Sequence, residues 1–405
     1  MCPVRKEVRD GNVGERPAPE MEVDFAKYRT RARPHPRLKK LGDLPDDLKE
    51  STLDLGLDTE RGCRAGSYVQ VDHSVLFSRA WGKGLEVTSI TDAAGKRGRL
   101  RGYRWRNLSP EADRFTEQAK RHPHHGFFIR VLPGVKVELP LQACLYMTER
   151  GLAQNVHNII VAEEGSEIHI ITGCGSDPGV GEGLHIGVTE YYIRKGATVS
   201  YTMIHSWGRE MVVRPRSAAL LEEEGVFISN FVSLKPVRSL QMDPVVTCVG
   251  KNARVRLNSI LLAPEGTDLD VGGRIFLRAG ECSAEIISRA ITTGGRIVAR
   301  GHVTGAVPQV KAHLECRGLI LSEEGTVLAV PELEGLTRDV DLSHEAAVGR
   351  IAEEQITYLM SRGLTEETAT SAIVRGFLNV KMEGLPSRLA AQISRAVEAA
   401  DISGM

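Results

Sequence analysis

The sequence predicts a mainly β protein, a stack of short coils forming a β-helix, with a charged N-terminal arm and a helical C-terminal tail. Three observations carry this: apolar residues alternate every second position through the middle of the chain, a polar-polar-Gly turn recurs, and the apolar period changes to that of a helix near the C-terminus. In the alternation, Ala197, Val199, Tyr201 and Met203 interleave with Thr198, Ser200 and Thr202, and Ile168-His169-Ile170 keeps the same rhythm, the period of a pleated strand. The turn occurs as Glu163-Glu164-Gly165, Arg194-Lys195-Gly196, Glu223-Glu224-Gly225, Pro264-Glu265-Gly266 and Glu323-Glu324-Gly325. With Gly250, Gly280 and Gly295 included, successive glycines lie 31, 29, 25, 16, 14, 15 and 30 residues apart, most of them near one or two multiples of 15. Such a near-repeat marks coils whose strands cannot cover their own apolar face until the next coil lies on top. An antiparallel sandwich with long hairpins would also give glycine-punctuated strands.

Three regions follow in order. Residues 1–65 are rich in charge, Pro and Arg, as in Arg29-Thr30-Arg31-Ala32-Arg33-Pro34-His35-Pro36; they read as a loosely ordered, solvated arm with a short helix or two near Leu44–Leu57. The basic cluster is interrupted by Glu20, Glu22, Asp24, Asp43, Asp46 and Asp47, which argues against a nucleic-acid arm. Residues 66–340 hold the repeating strands. Residues 341–405 read as a helical domain. Ala369, Ala372, Ile373, Gly376, Phe377 and Val380 form an amphipathic stripe behind Thr365 as N-cap. A second helix is expected after Pro386, with Leu389, Ile393, Ala396, Val397 and Ala400 on one face. So short a tail must dock on the β body or on a partner.

Composition narrows the function classes. Fifty-two basic and 52 acidic residues leave no net charge, so no global field draws the chain to nucleic acid or an anionic membrane. The sequence has no long apolar run, and its first residues lack the apolar segment of a secretion signal, so a cytoplasmic protein is expected. Seven cysteines, at 2, 63, 144, 174, 248, 282 and 316, include no C-x-x-C pair. That argues against a disulfide framework and against a preassembled zinc or ferredoxin-type site. A bound metal is expected to be held by distant residues, or transiently. Cys144 and Cys174 have apolar surroundings and read as core; Cys2 and Cys63 carry no signal. His122-Pro123-His124-His125 reads as a surface loop, since proline prevents a helical His-x-x-x-His clip. Gly272-Gly273-Arg274 and Gly294-Gly295-Arg296 lack the lysine-hydroxyl ending of a phosphate-cradling loop, so any ATP belongs to a partner.

One stretch goes further. Ser343-His344-Glu345-Ala346-Ala347-Val348-Gly349-Arg350 runs into Glu353-Glu354-Gln355-Ile356 and Ser361-Arg362-Gly363-Leu364. Upstream stand Pro133-Gly134-Val135-Lys136-Val137-Glu138-Leu139-Pro140, the block His157-Asn158-Ile159-Ile160-Val161-Ala162-Glu163-Glu164-Gly165 leading to Gly173-Cys174, and Pro331-Glu332-Leu333. In this order, over roughly residues 125–400, the blocks closely resemble the SufB/SufD family, the scaffold subunits of the SUF iron–sulfur assembly machinery. The resemblance implies a right-handed parallel β-helix flanked by terminal helical domains, and non-enzymatic assembly of a transient, nascent iron–sulfur cluster. It also implies pairing of two subunits through their β-helices, as a homodimer or with a second SufB/SufD-type chain, and docking of a SufC-like ABC ATPase on the C-terminal helical domain.

It further implies a ligand set. His344 matches a histidine found in both SufB and SufD, Glu345 is the SufB version of the next position, and Cys316 lies in a strand where SufB proteins carry an interface cysteine. Imidazole, carboxylate and thiolate all bind iron, and Arg317 would favour the thiolate. Read from the residues alone, Ser343-His344-Glu345 opens a helix with Ser343 as N-cap, and Cys316 is a buried core thiol. Two departures stand out. Leu342 occupies the position of a SufD cysteine, and Arg214-Pro215-Arg216-Ser217-Ala218 lacks the cysteine that SufB-type chains carry after a Pro-Ser step. A SufB-like subunit that pairs with itself reconciles them. The competing readings are a SufD-like architectural subunit without cluster binding, and a β-helix polysaccharide-active enzyme using Asp268 and Asp270, two apart on one strand.

Overall fold

The computed structural model describes residues 23–59, 64–95 and 100–378. Cys2, Cys63 and the helix expected after Pro386 lie outside them.

The chain winds into a parallel β-solenoid of about eight turns, followed by helices. A ten-stranded sheet runs in spatial order from Ser74–Ala80 and Gly66–Val71 through Leu141–Met147, Glu167–Ser176, Thr198–Ser206, Val226–Ser233, Arg254–Pro264 and Ser283–Thr293 to Val310–Ile320 and Val340–Gly349. A twelve-stranded sheet closes the other side. Among the described residues, strands pair antiparallel at the N-terminal end, between Gly66–Val71 and Ser74–Ala80 and between Leu85–Ser89 and Phe127–Val131, and elsewhere a single antiparallel bridge joins Pro264 and Gly294.

Paired residues show the true repeat. Glu167 lies beside Thr198, Thr198 beside Val226, Val226 beside Arg254, Arg254 beside Ser283, Ser283 beside Lys311 and Lys311 beside Asp341. Each coil therefore takes 28 to 31 residues, and the gaps near 15 in the glycine spacing are half-turns from one corner to the opposite one. One corner is a column of left-handed residues: Gly134, Gly165, Gly196, Glu224, Asn252, Glu281 and Gln309. From Gly134 to Asn252 the N–H of each donates to a carbonyl of the next coil at 2.8–3.3 Å. Glycine occupies this column only in the early coils; later Glu, Asn and Gln accept the positive φ, and Gly225 and Gly250 sit beside it.

Inward-facing residues of both sheets, among them Tyr68, Phe127, Ile160, Tyr201, Leu240, Leu269, Ile286 and Leu314, form one continuous core. The outer face of the ten-stranded sheet carries a second apolar cluster, in which Ile171, Ile204, Val232, Ile260, Ile291 and Leu319 are covered by Leu41, Leu44, Leu55 and Leu57 from the N-terminal segment and by Val374 and Leu378 from the C-terminal helix. The described part of the expected arm is thus not loosely ordered. It contains a helix at Asp46–Leu53, and its leucines lie flat on the sheet while its charges face water.

Two expectations change at the C-terminal end. Residues 341–349 are strand, so the helical period begins later, with helices at Glu353–Ser361 and Glu366–Leu378. Ser343 therefore caps nothing; its Oγ meets His313 Nδ1 on the neighbouring strand at 3.0 Å. In the second helix the buried positions are Ala369, Ser371, Val374 and Leu378, a face rotated from the Ala372–Ile373–Gly376 stripe because Val374 and Leu378 dock on the sheet.

A buried anchor holds the segment after residue 100. The Glu190 carboxylate accepts from the backbone N–H groups of Trp105, Arg106, Asn107 and Leu108 at 2.6–3.3 Å, from the Tyr192 hydroxyl at 2.8 Å, and meets His157 Nε2 at 2.9 Å. Burial pushes His157 below its ordinary range, and so many donors keep Glu190 ionised in spite of its own burial.

Close coil stacking sets a testable cost. A Cβ on Gly250 would lie 1.9 Å from the Glu223 nitrogen, whereas one on Gly376, in the C-terminal helix, meets nothing within 4 Å. Gly250→Ala is expected to lose about 1–3 kcal/mol, and Gly376→Ala to gain up to about 1 kcal/mol. Urea titrations followed by circular dichroism measure both.

Candidate functional site

The last coil consists of Thr326–Gly335 in the twelve-stranded sheet and Val340–Gly349 in the ten-stranded one. Among the described residues each pairs along one side only, so both present an unpaired backbone edge, and nearly every residue of Val340–Gly349 is exposed.

Register places the expected ligands. On Val310–Ile320 the inward positions are Val310, Ala312, Leu314 and Cys316; Leu314 pairs with His344, Glu315 with Glu345 and Cys316 with Ala346. In parallel strands paired residues share a face. His344 thus lies on the inner face of the sheet, one strand and two residues from Cys316, a Cα separation of about 8 Å from strand spacing and rise. Glu345 lies on the outer face. The structure brings Cys316 and His344 to one side of the terminal coil and sends Glu345 to the other, so His344 and Glu345 do not act as an adjacent pair. Among the described residues no group of three His, Cys, Asp or Glu side chains is gathered closely enough to hold a metal ion. The thiol and imidazole suit iron by type and share a face.

Cys316 is 2% exposed, and burial pushes its thiol up, against the pull of the Arg289 guanidinium. Arg317 does not favour the thiolate as expected, because it projects to the opposite face. There Arg317 Nε meets Glu315 at 2.7 Å and its NH2 group meets Glu345 at 2.9 Å. Glu315 also accepts from Arg289 at 2.8 Å, and the Arg289 guanidinium stands 6.0 Å from the Phe377 ring centre on the C-terminal helix. Sequence reading missed this outer-face network. Its signal was the two-residue spacing of Glu315 and Arg317, which puts them on one side of a strand.

The other candidates resolve plainly. Cys144, Cys174, Cys248 and Cys282 are buried core residues, and Cys282 Sγ donates to the Gly250 carbonyl at 3.3 Å. His122-Pro123-His124-His125 lies in a loop ahead of Phe127–Val131, as expected, with His122 and Pro123 exposed; His124 is half-buried, stacks on His73 at 3.6 Å, accepts from the Asn155 N–H at 3.0 Å, and burial lowers its pKa to about 3. Asp268 and Asp270 do share a face, but Arg296 and Arg300 bind them at 2.9 and 2.6 Å, which leaves no free carboxylate pair for glycosidic chemistry.

Comparison with known proteins decides the family. Residues 145–377 match the family model described as SUF system FeS cluster assembly, SufBD core domain. The chain belongs to the SufBD family. An iron-sulfur cluster assembly SufBD family protein of Archaeoglobus fulgidus is 48% identical over 360 residues, covering 89% of this chain and 96% of the relative. One of Methanothermobacter thermautotrophicus is 40% identical over 93% of each chain. The iron-sulfur cluster assembly protein SufB of Bacillus subtilis is 29% identical over 93% of this chain and 83% of its own. This SufBD protein is thus an iron–sulfur cluster assembly protein of parallel β-solenoid fold, and no helix among its described residues is long and apolar enough to cross a membrane.

The buried Cys316 gives a direct check. In the native chain, its alkylation by iodoacetamide at pH 7.5 is expected to run at least about tenfold slower than that of a free thiol and to rise as pH climbs above the ordinary thiol range, because only the thiolate reacts. Peptide mass spectrometry of timed samples reads the rate.

Proposed function

We propose that this SufBD protein is a non-enzymatic scaffold subunit on which a nascent iron–sulfur cluster is built at a contact between subunits, with ATP hydrolysed by an ABC-type partner. The carrying observation is the end of the stack, where His344 on the unpaired edge strand shares the inner face with Cys316 on the strand before it. A thiolate and an imidazole from one chain need further donors, and a second subunit seated on that edge would bring them. The simplest partner is a second copy, since a two-fold contact supplies each residue twice; a distinct SufB/SufD-type chain is the alternative. Glu345, on the outer face, joins the ligand set only by moving from Arg317.

Docking of the ATPase falls to the helices. Val374 and Leu378 are spent on the β body, whereas Tyr358 and Met360 on Glu353–Ser361 are 58% and 44% exposed. The division at residues 340 and 341 accordingly belongs after Gly349 in functional terms, with Glu353–Ser361 as the docking element. A second reading, a SufD-like architectural subunit, is favoured by the burial and raised pKa of the Cys316 thiol.

Anaerobic reconstitution with ferrous iron and sulfide separates the two. The scaffold reading expects a labile, oxygen-sensitive chromophore on a dimer, with iron held at least about tenfold more weakly in Cys316→Ala and in the combined His344→Ala and Glu345→Ala variant. Unchanged spectra in both variants would put the architectural reading ahead. For the partner, Tyr358→Ser with Met360→Ser is expected to weaken ATPase binding in titration calorimetry without lowering the melting temperature.

A further inference from the structure

The outer face of the terminal coil poses an electrostatic problem that the chain solves in a specific way. Glu315 and Glu345 are register partners on adjacent strands, and like charges directly opposite repel. Arg317 lies between them with Nε on Glu315 at 2.7 Å and NH2 on Glu345 at 2.9 Å. Arg289 holds the other side of Glu315 at 2.8 Å. The contacts grade from buried to open. The Arg289 and Glu315 side chains are 10% and 14% exposed, while those of Arg317 and Glu345 are 43% and 54% exposed. At the buried end Phe377, on the helix Glu366–Leu378, stands against the Arg289 guanidinium. A continuous row therefore joins the C-terminal helix to Glu345 through Phe377, Arg289, Glu315 and Arg317.

We propose that Arg317 is the resting counter-ion that withholds Glu345 from iron, and that the seating of the C-terminal helix, through Phe377, Arg289 and Glu315, sets how firmly it does so. The inference rests on the proposed function, with Glu345 taking part in iron binding as the family resemblance implies, and adds a positioning residue that acts on it. A carboxylate satisfied by a guanidinium must give up that pair to bind a metal. The pair is exposed enough to exchange, whereas the Arg289–Glu315 contact is shielded and keeps Arg317 in place. A helix displaced by a docked partner would loosen Phe377 from Arg289, let Glu315 and Arg317 shift together, and free Glu345.

The test uses the full chain under anaerobic conditions, with ferrous iron alone as the probe and its dissociation constant measured by equilibrium dialysis. Arg317→Gln is expected to tighten iron binding by about two- to fivefold, the range an exposed ion pair can account for. Arg317→Lys should retain most of the wild-type value, since it keeps the charge. Phe377→Ala should move binding in the same direction as Arg317→Gln by a smaller factor. In Glu345→Gln, adding Arg317→Gln should change nothing. A gain that persists in the Arg317→Gln, Glu345→Gln double variant would show that Arg317 acts by general repulsion and would overturn the proposal, as would unchanged or weaker binding in Arg317→Gln. Should that variant fold poorly, judged by its melting temperature, Arg317→Met, which keeps the length of the side chain without its charge, takes its place and must tighten binding through Glu345 or the proposal falls. If instead Glu345→Gln alone leaves iron binding and the reconstituted chromophore untouched, it is the ligand role of Glu345 that fails, a result distinct from an Arg317 effect lacking Glu345 dependence.

Discussion

The whole molecule depends on one constraint: successive coils must carry nearly the same number of residues, so that each strand lies in register on the one before. A slip of a single residue would turn every side chain of a coil to the other face, bringing charge into the core and apolar residues into water. The corner column enforces the count. Each left-handed residue from Gly134 to Asn252 ties its N–H to the next coil, so variation in coil length is absorbed at the corners and in the split strands of the second sheet, such as Ser239–Met242 and Val245–Cys248. The same register decides the chemistry at the end of the stack, since it makes His344 an inner-face residue and its chain neighbour Glu345 an outer-face one.

Much of this could be read from residues alone, and the parts that could not have physical reasons. Alternation at 197–203 gave the strands because one face is buried and the other is not. The repeat looked like 15 residues because glycine marks both corners of a coil, and the full period of 28 to 31 shows only when strands are paired. Beyond Gly196 the left-handed positions pass to Glu224, Asn252, Glu281 and Gln309, where composition gives no hint. Helical periodicity was assigned from His344 because Ser343-His344-Glu345 suits a helix start, yet pairing with Val310–Ile320 overrides local preference. The family resemblance named Cys316, His344 and Glu345, but only the pleat of the strands tells which of them share a side. Arg317 was assigned to the thiol from proximity in sequence, the one kind of proximity that a strand turns into opposition.

The two faces of the terminal coil differ in character. On the inner side, Cys316 is enclosed, burial pushes its thiol above the ordinary range, and Leu342 and Val340 pack toward the core. On the outer side, two carboxylates and two guanidiniums form a network that is shielded at Arg289 and Glu315, beside Phe377 of the C-terminal helix, and open at Arg317 and Glu345. Soft donor chemistry is thus sheltered and hard donor chemistry exposed, and a subunit contact that covers the edge would alter both environments at once.

The two ends of the stack are also unlike. The first strands, Ser74–Ala80 and Leu85–Ser89, are short and fold back antiparallel, while the last two are ten residues long and offer a flat parallel template. Strand addition from another chain is therefore directed to the C-terminal end of the stack, at the strand that carries His344.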